Sequence, residues 1–402
     1  MKGPIIYTAV AAMTLQQALA TMGGLTVPLL APPIAAETGL NPSLVGLYTA
    51  FLYGGATISS LIGGGFLLRY GALRLSQVCL LVISLGLLLS LSSSLLLFVF
   101  GAIIIGLGLG PATPASSQIL ARYAKPANAP LMFSIKQTGV PLGGILAGSL
   151  LPLCVSSFGW QGAIFVTALM VFILTVLLQP LRAEFDSDRQ QNREVQVSDV
   201  RKTLSTVLKT PGVPLLAISL FSFTGIQMAF AAFFVSFLAI ETGWSLSEAG
   251  VAFSISMAAG IFGRILWGWV STRYIRPLTL LAALGAIMGV TCMIIGTITP
   301  AWDTHVVFAV AFAFGLTGIG YQGVLLAEIA RISPAGLVGV VTGGVVFFAC
   351  LGMMVLPGLL GLILELFSSY RVAFVSLGLI PILVSLTLLR SVLRAKNLWN
   401  EI

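Results

Sequence analysis

Charge is what this sequence has least of. Only 8% of its 402 residues are charged and 58% are hydrophobic, where a soluble domain carries about 25% charged residues. No soluble core hides that much apolar surface. A single histidine, His305, and four cysteines (Cys79, Cys154, Cys292, Cys350) inside apolar segments give no metal-ligand spacing and no disulfide framework. The cysteines read as small core residues. A nucleophile motif and a phosphate-cradling P-loop are missing too. The chain is therefore read as no enzyme, with no cofactor and no metal, drawing energy from ion or solute gradients rather than ATP. Its apolar runs are ~20 or more residues long without period-2 alternation, which excludes a β-barrel. What remains is an all-α polytopic membrane protein.

Polar breaks divide the apolar runs into twelve candidate spans, at 5–34, 43–68, 75–97, 98–121, 130–156, 162–180, 213–239, 248–272, 277–298, 305–329, 336–366 and 372–390. The first run, which follows Lys2, reads as a retained helix rather than a signal peptide. The longest polar stretch splits the spans six and six. The expected organisation is a six-helix bundle at 1–180, a cytoplasmic linker at 181–212 and a second six-helix bundle at 213–402. Within the linker, Val197–Leu208 reads as a short amphipathic helix on the membrane surface.

The net charge of +8 is a topology signal. With the N-terminus in the cytoplasm, seventeen of the twenty Lys and Arg residues fall on the inner side. Arg371 alone lies outside, while Lys136 and Arg264 lie within spans. That bias predicts both termini in the cytoplasm and removes any need for a nucleic-acid partner.

The halves repeat. Gly64, Arg69 and Tyr70 return 204 residues later as Gly268, Arg273 and Tyr274, and Thr138-Gly139 as Thr342-Gly343. Ala121-Arg122 returns as Ala330-Arg331 at an offset of 209, and Trp160-Gln161-Gly162-Ala163 as Tyr370-Arg371-Val372-Ala373 at 210. Parallel six-helix repeats put a substrate site near the midplane.

Six plus six helices, a long middle loop and the Gly64…Arg69-Tyr70-Gly71 element between the second and third spans resemble the major facilitator superfamily over the whole chain. That family's loop motif carries an aspartate where this chain has Leu68, and Thr272 in the second copy. The cytoplasmic latch that the aspartate forms is therefore in question here. The arginine of drug/proton antiporters is also missing, Ala102 standing four residues before Gly106, and Gly139-Val140-Pro141-Leu142-Gly143-Gly144 only approximates the antiporter motif. Gly263-Arg264-Ile265-Leu266-Trp267-Gly268-Trp269 resembles the oxalate/formate–monocarboxylate branch, whose arginine at this place holds a substrate carboxylate. Ser134-Ile135-Lys136-Gln137-Thr138-Gly139 resembles cyanate-permease-like organic-anion carriers.

The charge pattern points the same way. Twelve acidic residues are present, and none lies near the middle of a span. Charges at depth are costly and functional by default. Both here are cations, Arg264 and Lys136, which favours an anionic ligand that brings the counter-charge. The alternative for Arg264 is an arginine that turns toward the inner face or binds the C-terminal carbonyls of another helix. Lys136 has the parallel alternative of snorkelling. Gln16, Gln17, Gln227, Tyr321, Gln322 and Tyr53 are the other substrate-binding candidates, five of them on the spans that line the cavity in the resembled family. Each has an interhelical hydrogen bond as its alternative. Gln16 and Gln17 are adjacent and cannot share a face. Glu328, Arg69 and Arg273 are coupling or gating candidates.

The expected function is secondary transport of a small organic anion, a mono- or dicarboxylate, by alternating access with a proton or a counter-anion. The expected setting is the bacterial cytoplasmic membrane and its lipid, as a monomer. Two other readings are an exporter of amphipathic compounds on the same fold, and a transporter-like sensor or scaffold.

Overall fold

In lipid every backbone polar group has to be satisfied internally, and the chain meets that demand with helices throughout. The computed structural model describes residues 3–123, 132, 135–187, 189, 200–333 and 338–400. Among the described residues there is no strand.

The elements run α1 Gly3–Leu29, α2 Ala31–Thr38, α3 Leu44–Tyr70, α4 Ala72–Leu89, α5 Leu95–Tyr123 and α6 Gly139–Leu177. Then come α7 Val200–Lys209, α8 Val213–Glu241, α9 Leu246–Arg273, α10 Pro277–Ile295, α11 Thr304–Gly318, α12 Gln322–Ile332, α13 Val338–Phe367 and α14 Tyr370–Asn400. Ten helical segments among the described residues are long and apolar enough to cross a membrane. One of them, Ile135–Phe185, is 51 residues long and breaks at Gly159 (φ 70, ψ 179), so it holds two crossings. With α3, 27 residues with Arg69 as its one basic end residue, the described residues supply twelve. The break between the third and fourth crossings falls earlier than expected, at the serine-rich turn between α4 and α5. The expected amphipathic helix forms as α7, with Val207 fully buried against its neighbours and Leu208 exposed. Its first expected residues, 197–199, lie outside the described set, as do Lys2 and Lys125.

Helix starts follow local chemistry. Ser245 and Glu248 form a reciprocal capping box at α9: the Ser245 hydroxyl accepts from the Glu248 N–H at 3.2 Å, and the Ser245 N–H donates to Glu248 at 2.9 Å. Asp303 caps α11 by accepting from the His305 N–H at 2.8 Å. Proline opens α8 and α10, where a missing N–H does no harm.

The chain forms two compact units. One is 1–42 with 48–198, and the other is 43–47 with 199–402. In the first, α1 packs along α6 and α4 along α5. In the second, α8 packs along α13, α10 along α14 and α9 along α11. The cysteines are free thiols; Cys79, Cys292 and Cys350 are buried and Cys154 is half-buried.

Candidate functional site

In the second unit the site grows from a helix that stops inside the membrane. The apolar run 305–329 reads as one span, but α11 ends at Gly318 and α12 begins at Gln322. The helix is interrupted where the sequence reads Gly318-Ile319-Gly320-Tyr321. A helix end leaves carbonyls without N–H partners, and in an apolar surround each must find a donor. Helix α9 supplies two. Trp267 donates its indole N–H to the Leu316 carbonyl at 2.7 Å. Arg264 donates Nε–H to the Ile319 carbonyl at 3.3 Å, and its Nη2 donates to Gln322 Oε1 at 2.9 Å.

This contact needs α9 to lie against the backbone of α11. A methyl group at residue 263 would press on the Leu316 carbonyl and stand 3.2 Å from Gly320 Cα. One at residue 260 would reach the Ile319 side chain. The glycines before Arg264 are there for a neighbouring helix, as small-residue interfaces in membranes are. Gly268, one turn beyond, meets nothing within 4 Å.

Tyr321 sits in the break with no exposed surface. Its ring meets Phe223 edge-on at 5.2 Å, and its hydroxyl has no hydrogen-bond partner among the described residues. Buried hydroxyls normally have one. Phe230 stacks on Phe314 in the same unit, with centroids 4.1 Å apart.

In the first unit Lys136 is fully buried just before α6. Its ammonium faces two neutral oxygens of α5, the Ser117 hydroxyl at 3.3 Å and the Thr113 carbonyl at 3.5 Å. Thr113, placed between Pro111 and Pro114, also donates its hydroxyl to Gln17 Oε1 at 3.2 Å. The two adjacent glutamines diverge as their helical positions require. Gln16 is fully buried, and neither its amide oxygen nor its nitrogen has a hydrogen-bond partner among the described residues.

The structure thus joins Arg264 with Gln322, and Lys136 through Thr113 with Gln17. Among the described residues no contact joins Gln227, Glu328, Arg69 or Arg273 to either pair. Gln227 on α8 is half-buried, and no described contact links it to Arg264; Tyr53 is half-buried on α3. Glu328 is buried, its side chain 2% exposed, and takes a bidentate bond from Arg331, with Nε and Nη2 each at 2.7 Å. The Glu328 hydrogen bonds, and then its charge, hold the Arg331 guanidinium above its ordinary value. Arg69 lies beside the Tyr70 ring at 5.5 Å, and Arg273 is exposed at the end of α9.

Asp186, an acid of the polar stretch between the two sets of spans, has a structural task. Its carboxylate is buried and accepts from the Leu73 N–H at 2.7 Å and the Arg74 N–H at 3.0 Å, the free amides at the start of α4. Arg182 lies 3.6 Å away. The signal was a run of mixed charge directly after a span.

Comparison with known proteins fits this architecture. The chain is 24% identical over 388 residues to the hexuronate transporter of Bacillus subtilis (strain 168), covering 90% of this chain and 89% of that one. It is 27% identical over 317 residues to the 3-(3-hydroxy-phenyl)propionate transporter of Escherichia coli (strain K12), covering 76% and 74%. Among solved structures, a bacterial homologue of the human lysosomal transporter Spinster in an inward-facing, unoccupied conformation superposes with a TM-score of 0.78 at 16% identity, over 96% of this chain and 98% of that one. These relatives are transporters rather than enzymes, and the profile described as Major Facilitator Superfamily matches residues 13–357. A twelve-crossing helical chain matched over that length belongs to the Major Facilitator Superfamily.

Proposed function

We propose that this membrane transporter carries a small organic anion whose carboxylate is held by Arg264. The observation that carries the reading is an arginine inside a membrane helix whose Nε and Nη2 reach two neutral oxygens, those of Ile319 and Gln322. A planar guanidinium offers two parallel donors to a carboxylate, and an arginine at that depth is functional by default. Tyr321 and Gln322 stand beside it as hydrogen-bonding groups.

In the first unit Lys136, joined through Thr113 to Gln17, forms a second polar cluster, and Gln16 is proposed beside Gln17 as a further substrate contact. The Lys136 ammonium suits an anionic or hydroxyl-bearing ligand. The relatives support the class, since a hexuronate and a hydroxyphenyl-propionate are both carboxylates carrying hydroxyl groups. Tyr53 and Gln227 are proposed as further substrate contacts, and Glu328, Arg69 and Arg273 as gating or coupling residues. The absence of acids near the middle of the spans supports anion exchange, or proton co-transport in which the substrate or Glu328 carries the proton. The cytoplasmic membrane of a bacterium, with both termini inside, is the proposed setting, and the basic bias of the inner segments supports it.

The test is uptake of labelled glucuronate and 3-(3-hydroxyphenyl)propionate into proteoliposomes holding the full chain. Saturable uptake of one of them, lost in Arg264→Ala, is the expected result. Full uptake by Arg264→Ala overturns the assignment.

A further inference from the structure

Arg264 comes with its ligand position already filled. The Nε–H and Nη2–H of a guanidinium lie along one edge and point the same way, which is the edge that a carboxylate bridges with its two oxygens. In this structure the Ile319 carbonyl takes Nε–H at 3.3 Å and Gln322 Oε1 takes Nη2 at 2.9 Å. Two protein oxygens therefore stand where the two oxygens of one carboxylate would go. One belongs to the backbone at the end of α11 and moves only if the helix break moves. The other is on a half-buried side chain in the first turn of α12 and leaves by rotation about its own bonds.

We propose that Gln322 is a built-in placeholder: its amide oxygen occupies the substrate's carboxylate slot on Arg264 in the empty site, and the substrate gains the slot by displacing it. The proposal rests on the reading of Arg264 as the substrate-binding arginine.

The residue type fits the task. An amide oxygen satisfies the guanidinium, so the empty site does not hold a bare donor edge in an apolar surround. It carries no net charge, so an incoming carboxylate forms the stronger, fully charge-assisted pair and wins the exchange. A glutamate in the same place would form that pair permanently. A leucine would offer the guanidinium nothing. Once displaced, the Gln322 amide has both its NH2 donors and its oxygen available for hydroxyl groups on the substrate. The same exchange loosens the side-chain tie between α9 and the start of α12, so occupancy of the slot is transmitted to the broken helix.

The experiment uses the full chain in detergent and in proteoliposomes, with glucuronate and 3-(3-hydroxyphenyl)propionate as probes. Three variants are compared for ligand-free thermal unfolding, ligand-induced shift in Tm, and KM of uptake. Gln322→Glu is expected to unfold at a higher temperature than the parent without ligand and to lose anion binding at least tenfold. Gln322→Leu is expected to bind the same anion several-fold more tightly, with a lower ligand-free Tm. The two variants move in opposite directions, so a general folding defect cannot imitate the pair. Arg264→Gln is expected to lose binding altogether.

Undiminished binding by Gln322→Glu, or weaker binding by Gln322→Leu while Arg264→Gln abolishes it, overturns the placeholder and leaves the arginine as substrate ligand. Normal binding by Arg264→Gln overturns the reading on which the placeholder rests.

Discussion

Asp186 fills the space that a side chain on residue 71 would need. A methyl group built on Gly71 would collide with the Asp186 carboxylate, and Gly71 holds φ 100 and ψ 152, a conformation that disfavours any side chain. The same carboxylate caps α4. The chain leaving the sixth crossing is thereby fastened to the start of the third, close to Leu68, where the resembled family carries its own loop aspartate.

Gly71→Ala is expected to destabilise through the backbone and the collision together, the backbone part alone costing about 1–3 kcal/mol. Asp186→Ala is expected to cost about 1 kcal/mol as a lost cap. Combining them relieves the carboxylate but leaves the Cβ of residue 186 at 2.7 Å and the backbone strain, so the double variant should remain less stable than Asp186→Ala alone. Thermal unfolding of the purified protein in detergent reads all three.

The ion pair between Glu328 and Arg331 is lopsided. Its acid is 2% exposed and its base 67%. Removing the base strands a buried carboxylate, while removing the acid leaves a guanidinium that water already solvates. Arg331→Gln is therefore expected to lower stability by about 1–3 kcal/mol and Glu328→Gln by clearly less. Equal losses on thermal unfolding would show that Glu328 is solvated in the native protein.

Gly263 and Gly268 lie on the same helix on either side of Arg264 but face different surroundings. Gly263→Ala pushes α9 off the Leu316 carbonyl and Gly320 and so draws Arg264 away from Ile319. At least a tenfold rise in KM for the transported anion is expected. Gly268→Ala meets nothing within 4 Å and should leave KM within about twofold, while adding a few tenths to 1 kcal/mol of helix stability. Similar KM values for the two variants would detach the anion site from the contact between α9 and α11.

At the other end of the first unit, Trp160 donates its indole N–H to Glu37 at 2.8 Å, and Gln161 donates to the other oxygen of the same carboxylate at 3.1 Å. Trp160 follows the break at Gly159 and is buried, so this carboxylate holds the turn between two crossings onto α2. Trp160→Phe and Glu37→Gln are each expected to cost about 1–2 kcal/mol. The double variant should cost less than their sum, because both remove one shared bond. Full additivity in a double-mutant cycle would show the bond to be without consequence.

The helices were legible from the sequence because hydropathy and chain length alone determine what can cross a bilayer. Interruptions inside a run were not. The segment 305–329 stays apolar through its break, so Arg264 and Gln322 stood as two separate candidates in the sequence and meet only once α11 has ended at Gly318. Gly318 and Gly320 were visible, but glycine is too common in these spans to mark a break. The same limit hid Thr113 and Ser117 as the neighbours of Lys136, since their partner lies on another helix. For Arg264 the sequence offered two futures, a ligand contact or a bond to another helix's terminal carbonyls. The structure shows the second for the Ile319 carbonyl, and a displaceable Gln322 lets both hold. Asp186 was passed over because a carboxylate among mixed charges usually faces water.

The burial of Lys136 also makes it a clock. Of the six lysines in the chain, this one has no exposed surface, whereas Lys209 at the end of α7 is exposed. An amine-acylating reagent added from water marks Lys209 at once and reaches Lys136 only when the first unit opens. The ratio of the two marks over time reports how often that happens, without labelled substrate and without altering a residue.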